Sequence, residues 1–213
     1  MSAIENDKRA AAEQAAGLVE DGMTVGLGTG TTVAYLLPVL AARRLNLRCV
    51  ATSPRTEQAA RELSFSLEPF DALDRLDLTI DGADQIDPAG WLVKGGGAAH
   101  TREKVVAAAS DLFVVIGSSD KLVEAIAPPV PLELLPFGVR ATLRALGPAE
   151  LRDVPPSPDG GVIADYLGPV EDPADLADRL AAVPGVVEHG LFPPELVSEI
   201  LVARDGRVET ITP

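Results

Sequence analysis

A short apolar run, Met23–Leu27, passes into Gly28-Thr29-Gly30-Thr31-Thr32 and is followed by a second apolar stretch from Val33 to Leu45. A run too short for a helix, then glycines, then helical spacing reads as strand, glycine turn, helix. The same alternation recurs. Cys49–Ala51 ends at Thr52-Ser53-Pro54 before a helical stretch at Thr56–Leu63, and Leu76–Ile80 ends at Asp81-Gly82. Trp91–Val93 precedes Lys94-Gly95-Gly96-Gly97, a helix is predicted over Thr101–Ser110, and Leu112–Ile116 reads as another buried strand. Strands alternating with helices predict an α/β fold, a doubly wound sheet with its ligand beyond the carboxyl ends of the strands.

The texture changes near Pro128-Pro129. Short strand candidates at Pro131–Leu135, Leu151–Val154, Gly161–Tyr166 and Val186–Val187 enclose helical stretches at Val139–Leu146 and Pro173–Ala181. That pattern suits a smaller α+β lobe with an antiparallel sheet. The expected division is a main domain of residues 1–128 plus 196–213, and a lobe of 129–195 expected to carry oligomer contacts. Aromatic residues make up only 4% of the 213 residues, so the core must be mainly Ala, Val, Leu and Ile, as parallel sheets prefer.

Charge narrows the partners. Eighteen Lys and Arg stand against 32 Asp and Glu, a net charge of −14, which repels nucleic acid and anionic lipid. A phosphate ligand must therefore be met by a local cluster of donors. Cys49 is the single cysteine and His100 and His189 the only histidines, so neither a cysteine or three-histidine metal site nor a Ser-His-Asp triad is available. No charged-then-apolar leader and no apolar run of bilayer length stands out, and the expected location is cytoplasmic. Only four lysines occur, Lys8, Lys94, Lys104 and Lys121; a chain that otherwise prefers arginine and puts Lys94 beside three glycines points to a need for a compact ammonium there.

Three segments carry chemistry. In Gly26–Thr32, glycines allow close approach to an anion, while the helix amino end and the threonine hydroxyls donate to it. It is no P-loop, and it makes a weak dinucleotide fingerprint, because Thr31 takes the place of the third glycine and no acid ends the second strand. In Asp81-Gly82-Ala83-Asp84, two acids three apart at a strand end can serve as acid and base or hold sugar hydroxyls, or form only an acidic turn. In Lys94–Lys104, the triple glycine suits backbone N–H groups turned toward an anion. Glu103 follows in a helical first turn, where an acid is also stabilised simply by the helix dipole. Lys121 either contacts phosphate or solvates a helix start.

These pieces in this order resemble ribose-5-phosphate isomerase, type A: GLGTGTT, TSPRT, DLTIDGADQID, KGGGAAHTREK, SSDKLV, PLELLPF and PGVVEHGLF. The resemblance covers most of the chain. It implies a Rossmann-like domain with a smaller α+β, ferredoxin-like lobe, no cofactor and no metal, and a homodimer or homotetramer. It implies the interconversion of ribose 5-phosphate and ribulose 5-phosphate, a step of the non-oxidative pentose phosphate pathway. Glu103 matches the family's catalytic glutamate, with Asp81, Asp84 and Lys94 as catalytic partners. Thr29, Gly30, Thr31, Thr32, Asp81, Gly82, Ala83, Asp84, Lys94, Gly95, Gly96, Gly97 and Lys121 match substrate-binding positions. The departures are Thr31 for a usual serine, Gln85 for glutamate, His100 for leucine, Ser118 for an acid, and Pro158-Asp159-Gly160-Gly161 for a Thr-Asp-x-Gly-Asn segment.

The residue types fit aldose–ketose exchange, in which a base moves a proton between adjacent carbons while donors hold the enediolate oxyanion. The helix amino end weakens Glu103 as a base and desolvation opposes that. The alternative, a non-catalytic sugar-phosphate sensor lobe of the same architecture, has no use for a base beside a carbon–hydrogen bond. A nicotinamide-dependent dehydrogenase lacks its acid and third glycine here.

Overall fold

The computed structural model describes residues 2–213. Helix α1 (Ala3–Ala16) starts at a capping box, with the Ser2 amide donating to Glu5 Oε2 at 2.7 Å and the Glu5 amide returning to Ser2 Oγ, which satisfies two otherwise orphaned donors. There follow β1 (Thr24–Leu27), α2 (Thr31–Arg43), β2 (Arg48–Ala51), α3 (Pro54–Glu62), β3 (Ser66–Leu67), β4 (Leu76–Gly82), β5 (Gln85–Ile86), β6 (Leu92–Val93), α4 (His100–Ala108) and β7 (Ser110–Ser118). Then come β8 (Val130–Leu134), α5 (Val139–Leu146), β9 (Ala149–Leu151), β10 (Val162–Tyr166), α6 (Pro173–Ala181), β11 (Val186–His189), β12 (Leu191–Phe192), β13 (Glu199–Arg204) and β14 (Arg207–Ile211).

Two compact units form. Among the described residues the first comprises 2–83, 102–122 and 195–213. Its seven-stranded sheet runs β14-β13-β7-β4-β1-β2-β3, parallel throughout except for β14 on the edge. The tail after Leu196 returns to the main sheet as β13 and β14. Central strands are covered on both faces, so they read as continuous apolar runs: Val25, Leu27, Leu78, Ile80, Val115 and Ile116 are fully buried. The buried stripe of α1 is Ala11, Ala12, Ala15 and Ala16, small side chains that let the helix lie close against its neighbours. Gly26 serves the same end, since a Cβ there would collide with Thr79 and would come within 2.7 Å of Val106.

The second unit comprises residues 84–101 and 123–194. Its strands and helices run β8-α5-β9-β10-α6-β11, and the sheet order is β11-β8-β10-β9, antiparallel throughout. This is the split βαβ arrangement of the ferredoxin-like lobe. Leu132, Leu134, Ala164, Leu176 and Leu180 fill its core. The unit also holds a three-stranded sheet, β12-β6-β5.

That small sheet shifts the boundaries. The sequence assigns 84–101 to the main domain, whereas β6 pairs with β12 through Leu191↔Val93 and Phe192↔Leu92, which ties 84–101 to the second unit. Strands of two residues carry too little periodicity to announce such a pairing. No helix among the described residues is long and apolar enough to cross a membrane.

Candidate active site

In the first unit, β1 delivers Gly28-Thr29-Gly30 to the amino end of α2. Gly30 has φ +126° and ends the loop as the helix N-cap without a side-chain cap, so the first amides of α2 point outward in the manner of an anion cradle. A hydroxyl cluster braces the loop from the end of β2. Thr29 Oγ1 shares a hydrogen bond with Thr52 Oγ1 at 2.8 Å, and Thr56 Oγ1 donates to the Gly28 carbonyl at 2.8 Å. Thr52, Ser53 and Thr56, all from the TSPRT segment, are buried. Their work is support of the glycine loop.

Asp81 sits at the end of β4, fully buried. Its Oδ1 accepts the Thr29 N–H at 2.9 Å and the Gly82 N–H at 2.7 Å. A Cβ at Gly28 would overlap this carboxylate, so the first glycine of the loop exists to let Asp81 in. The loop threonine and the strand-end acid, 52 residues apart in sequence, are one bonded structure. Glu103 stands in the first turn of α4 and is 4% exposed. Most of its surface is removed from water. Lys121 lies in the turn after β7, its Nζ 3.4 Å from Asp120 Oδ2.

In the second unit, Asp84 and the glycine loop are joined: the Gly96 N–H donates to Asp84 Oδ2 at 2.8 Å. Gly95 has φ +110°, and a Cβ there would lie 2.7 Å from His100 Nδ1 and 2.8 Å from Pro131. A Cβ on Gly96 would approach Asp84 Oδ1 to 2.9 Å. Two of the three glycines thus answer a named steric demand, and His100, fully buried, is a packing partner of the loop. Lys94 is 2% exposed, with Nζ 5.5 Å from the centroid of the Phe192 ring, an attraction that holds the ammonium in place. Thr101 Oγ1 donates to Glu133 Oε2 at 2.5 Å, and the buried Glu133 also accepts the Ser157 hydroxyl. These bonds tie Thr101 to β8 within the second unit.

Of the positions predicted from the sequence, Thr29–Thr32, Asp81–Ala83, Glu103 and Lys121 belong to the first unit, and Asp84 and Lys94–Gly97 to the second. One residue was missed. Lys8, on α1, donates from Nζ to Thr31 Oγ1 at 2.8 Å and adds a cation to the anion cradle. Lysine is rare in this chain, which marks Lys8 as it marks Lys94, but no glycine loop adjoins Lys8. Among the described residues no cluster of three or more His, Cys, Asp or Glu has the disposition of a metal site.

Solved structures share this architecture over the whole chain. Ribose 5-phosphate isomerase A from Methanocaldococcus jannaschii superposes with a TM-score of 0.92 at 32% identity, covering 98% of this chain and 99% of its own. A D-ribose-5-phosphate isomerase solved in complex with phospho-erythronic acid gives 0.93 at 32% identity, with both chains fully covered. Fold and loops together define an α/β enzyme of the isomerase class. The family model for ribose 5-phosphate isomerase A (phosphoriboisomerase A) matches residues 48–207, and ribose-5-phosphate isomerase A of Natronomonas pharaonis is 45% identical over 222 residues, covering 96% of each chain. The chain belongs to the ribose-5-phosphate isomerase A family.

Proposed function

We propose that the chain interconverts D-ribose 5-phosphate and D-ribulose 5-phosphate through an enediolate, with Glu103 as the base. The observation that carries this reading is a glutamate only 4% exposed at the head of α4, directly after the triple-glycine loop. A glutamate that served the helix dipole alone would sit as well in water.

Glu103 takes the proton from C2 of the open-chain aldose and returns it to C1. Electrons move from the C2–H bond into a C1–C2 double bond, and the carbonyl oxygen on C1 becomes an oxyanion. Lys94 stabilises that charge; a preorganised donor in such a site is worth about 3–4 kcal/mol. Asp81, with Oδ1 held by two amides, carries the hydroxyl proton from O2 to O1 and assists ring opening, and Asp84 orients the sugar. Thr29, Gly30, Thr31 and Thr32 with the amino end of α2 take the phosphate, aided by Lys8 and Lys121. The relative solved with phospho-erythronic acid holds a ligand that likewise combines a phosphate with a hydroxylated carbon chain. The proposed place of action is the cytoplasm.

Self-association belongs to the same proposal. The second unit exposes Phe137 at 93% and Leu135 at 50%, apolar surface of the kind that copies of a chain bury together. Light scattering tests it, and a strictly monomeric species would refute it.

The deciding experiment is ribose 5-phosphate conversion in excess chelator, comparing wild type with Glu103→Gln. Turnover should fall at least about a thousandfold with ligand binding retained. A fully active variant would remove Glu103 from its role, and chelator sensitivity would sink the metal-free mechanism.

A further inference from the structure

Arg152 follows β9 and faces Asp165 on β10. Its Nε donates to Asp165 Oδ2 at 2.9 Å, and Nη2 bonds Asp165 Oδ1, a bidentate pair with both side chains about one-fifth exposed (19% and 20%). The third arm of the guanidinium leaves the pair: Nη1 donates to the Gly95 carbonyl at 2.9 Å. Gly95 O and Gly96 N belong to one peptide unit, and the Gly96 N–H donates to Asp84 Oδ2 at 2.8 Å. A single amide plane is thus held at its oxygen by a cation and at its hydrogen by a carboxylate.

A trans peptide is rigid, with C=O and N–H pointing oppositely. Fixing both ends fixes the plane, in a stretch whose three glycines otherwise leave the backbone its widest freedom. A guanidinium on the oxygen also polarises the amide, which strengthens the donor at the other end. Fork geometry matters here, because an arginine can hold Asp165 with two nitrogens and still spend a third on the loop. Neither Arg152 nor Asp165 carries out any step of the proposed chemistry, and a cross-strand ion pair has no need of a bond to a glycine carbonyl 57 residues away.

We propose that Arg152 is a positioning residue for Asp84, acting through the Gly95–Gly96 peptide, with Asp165 setting the guanidinium. The proposal rests on the reading that Asp84 works on the substrate.

A double-mutant cycle tests it, using Arg152→Met, Asp84→Asn and the pair, with kcat, KM and Tm measured for each. Arg152→Met should lower kcat about tenfold and leave KM within about twofold. In the Asp84→Asn background the same substitution should cost less than about twofold, because the partner it serves is already gone. A merely structural arginine would lower Tm and multiply its cost equally in both backgrounds, which would overturn the proposal, as would an Arg152→Met enzyme with wild-type kcat beside an impaired Asp84→Asn. If Asp84→Asn alone retains full activity, the underlying assignment of Asp84 fails instead, and the inference falls with it. Should Arg152→Met not fold, Arg152→Lys goes through the same cycle; it keeps the cation but cannot hold Asp165 and Gly95 together, and an intermediate kcat that is insensitive to Arg152→Lys once Asp84 is changed is the supporting outcome.

Discussion

Lys8 Nζ donates to Thr31 Oγ1 at 2.8 Å, which places the single lysine of α1 at the first residue of α2. An ammonium and a helix amino end at one point form a local positive field in a chain of net charge −14. Its target in the proposed mechanism is the phosphate, which does not change during proton transfer. Lys8→Met should therefore raise KM for ribose 5-phosphate about tenfold and leave kcat within about threefold, since uniform binding is what is lost. Steady-state kinetics in low salt reads this directly, and an unchanged KM would remove Lys8 from the site.

The fit between Gly28 and Asp81 gives a second outcome. A methyl group at residue 28 has nowhere to go except into the Asp81 carboxylate, and Asp81 is held by the Thr29 and Gly82 amides. Gly28→Ala should displace Asp81 and cut kcat at least about a hundredfold, because small misplacements of a catalytic group are costly. The far-ultraviolet circular dichroism should stay that of wild type, as β1 itself ends at Leu27. Wild-type turnover in this variant would show that Asp81 need not sit where it does.

The strand, glycine turn and helix of β1 and α2 were legible because a long periodic segment follows an unmistakable break, and α5 and α6 were read to the residue from their spacing. The Gly-rich and Asp-bearing turns proposed to face the ligand stand at strand ends, where such turns announce themselves in a sequence. Residues 84–101 group with the second unit because the pairing of β6 with β12 joins Val93 to Leu191, and nothing in either dipeptide encodes a partner about a hundred residues away. The bonds of Lys8 and Arg152 are not legible in the sequence for a related reason. Each lies far in sequence from the loop it bonds, and a charged residue flanking an ordinary helix or strand looks like a solvated one until the fold is known.

Cys49 gives a prediction about stability. It is fully buried in β2, and desolvation pushes its thiol from an ordinary 9.0 up to about 12. The unfolded chain releases the proton first, so the folded state binds more protons between those two values and stability falls as pH rises through that window. Three units correspond to about 4 kcal/mol at most. The contribution is complete below pH 9 and lost progressively toward pH 12. In denaturant melts across that range Cys49→Ala should show a shallower alkaline loss than wild type, and the native thiol should resist a thiol reagent at pH 8 until the protein is unfolded. Rapid labelling of the native protein would contradict the burial.

Asp120 and Lys121 make the last prediction, one of affinity. Burial raises the Asp120 pKa, but the Ser118 hydroxyl and the Lys121 cation lower it more, and the carboxyl ends below its ordinary 3.8. A depressed carboxylate contributes stability above its unfolded pKa and loses it only as pH falls through the folded one, so at neutral pH Asp120 is ionised. Its Oδ2 lies 3.4 Å from Lys121 Nζ, and the pair presents almost no net charge to an approaching phosphate. Asp120→Asn leaves the cation uncompensated and should lower KM for ribose 5-phosphate about two- to threefold at low ionic strength, a modest gain because both groups are partly in water. The gain should vanish near 0.5 M salt, on the order of which screening extends only a few ångströms. Lys121→Met should act oppositely, raising KM because it leaves the Asp120 charge uncompensated, and in that background Asp120→Asn should recover part of the loss. A KM indifferent to both substitutions would place the phosphate with Lys8 and the α2 amides alone.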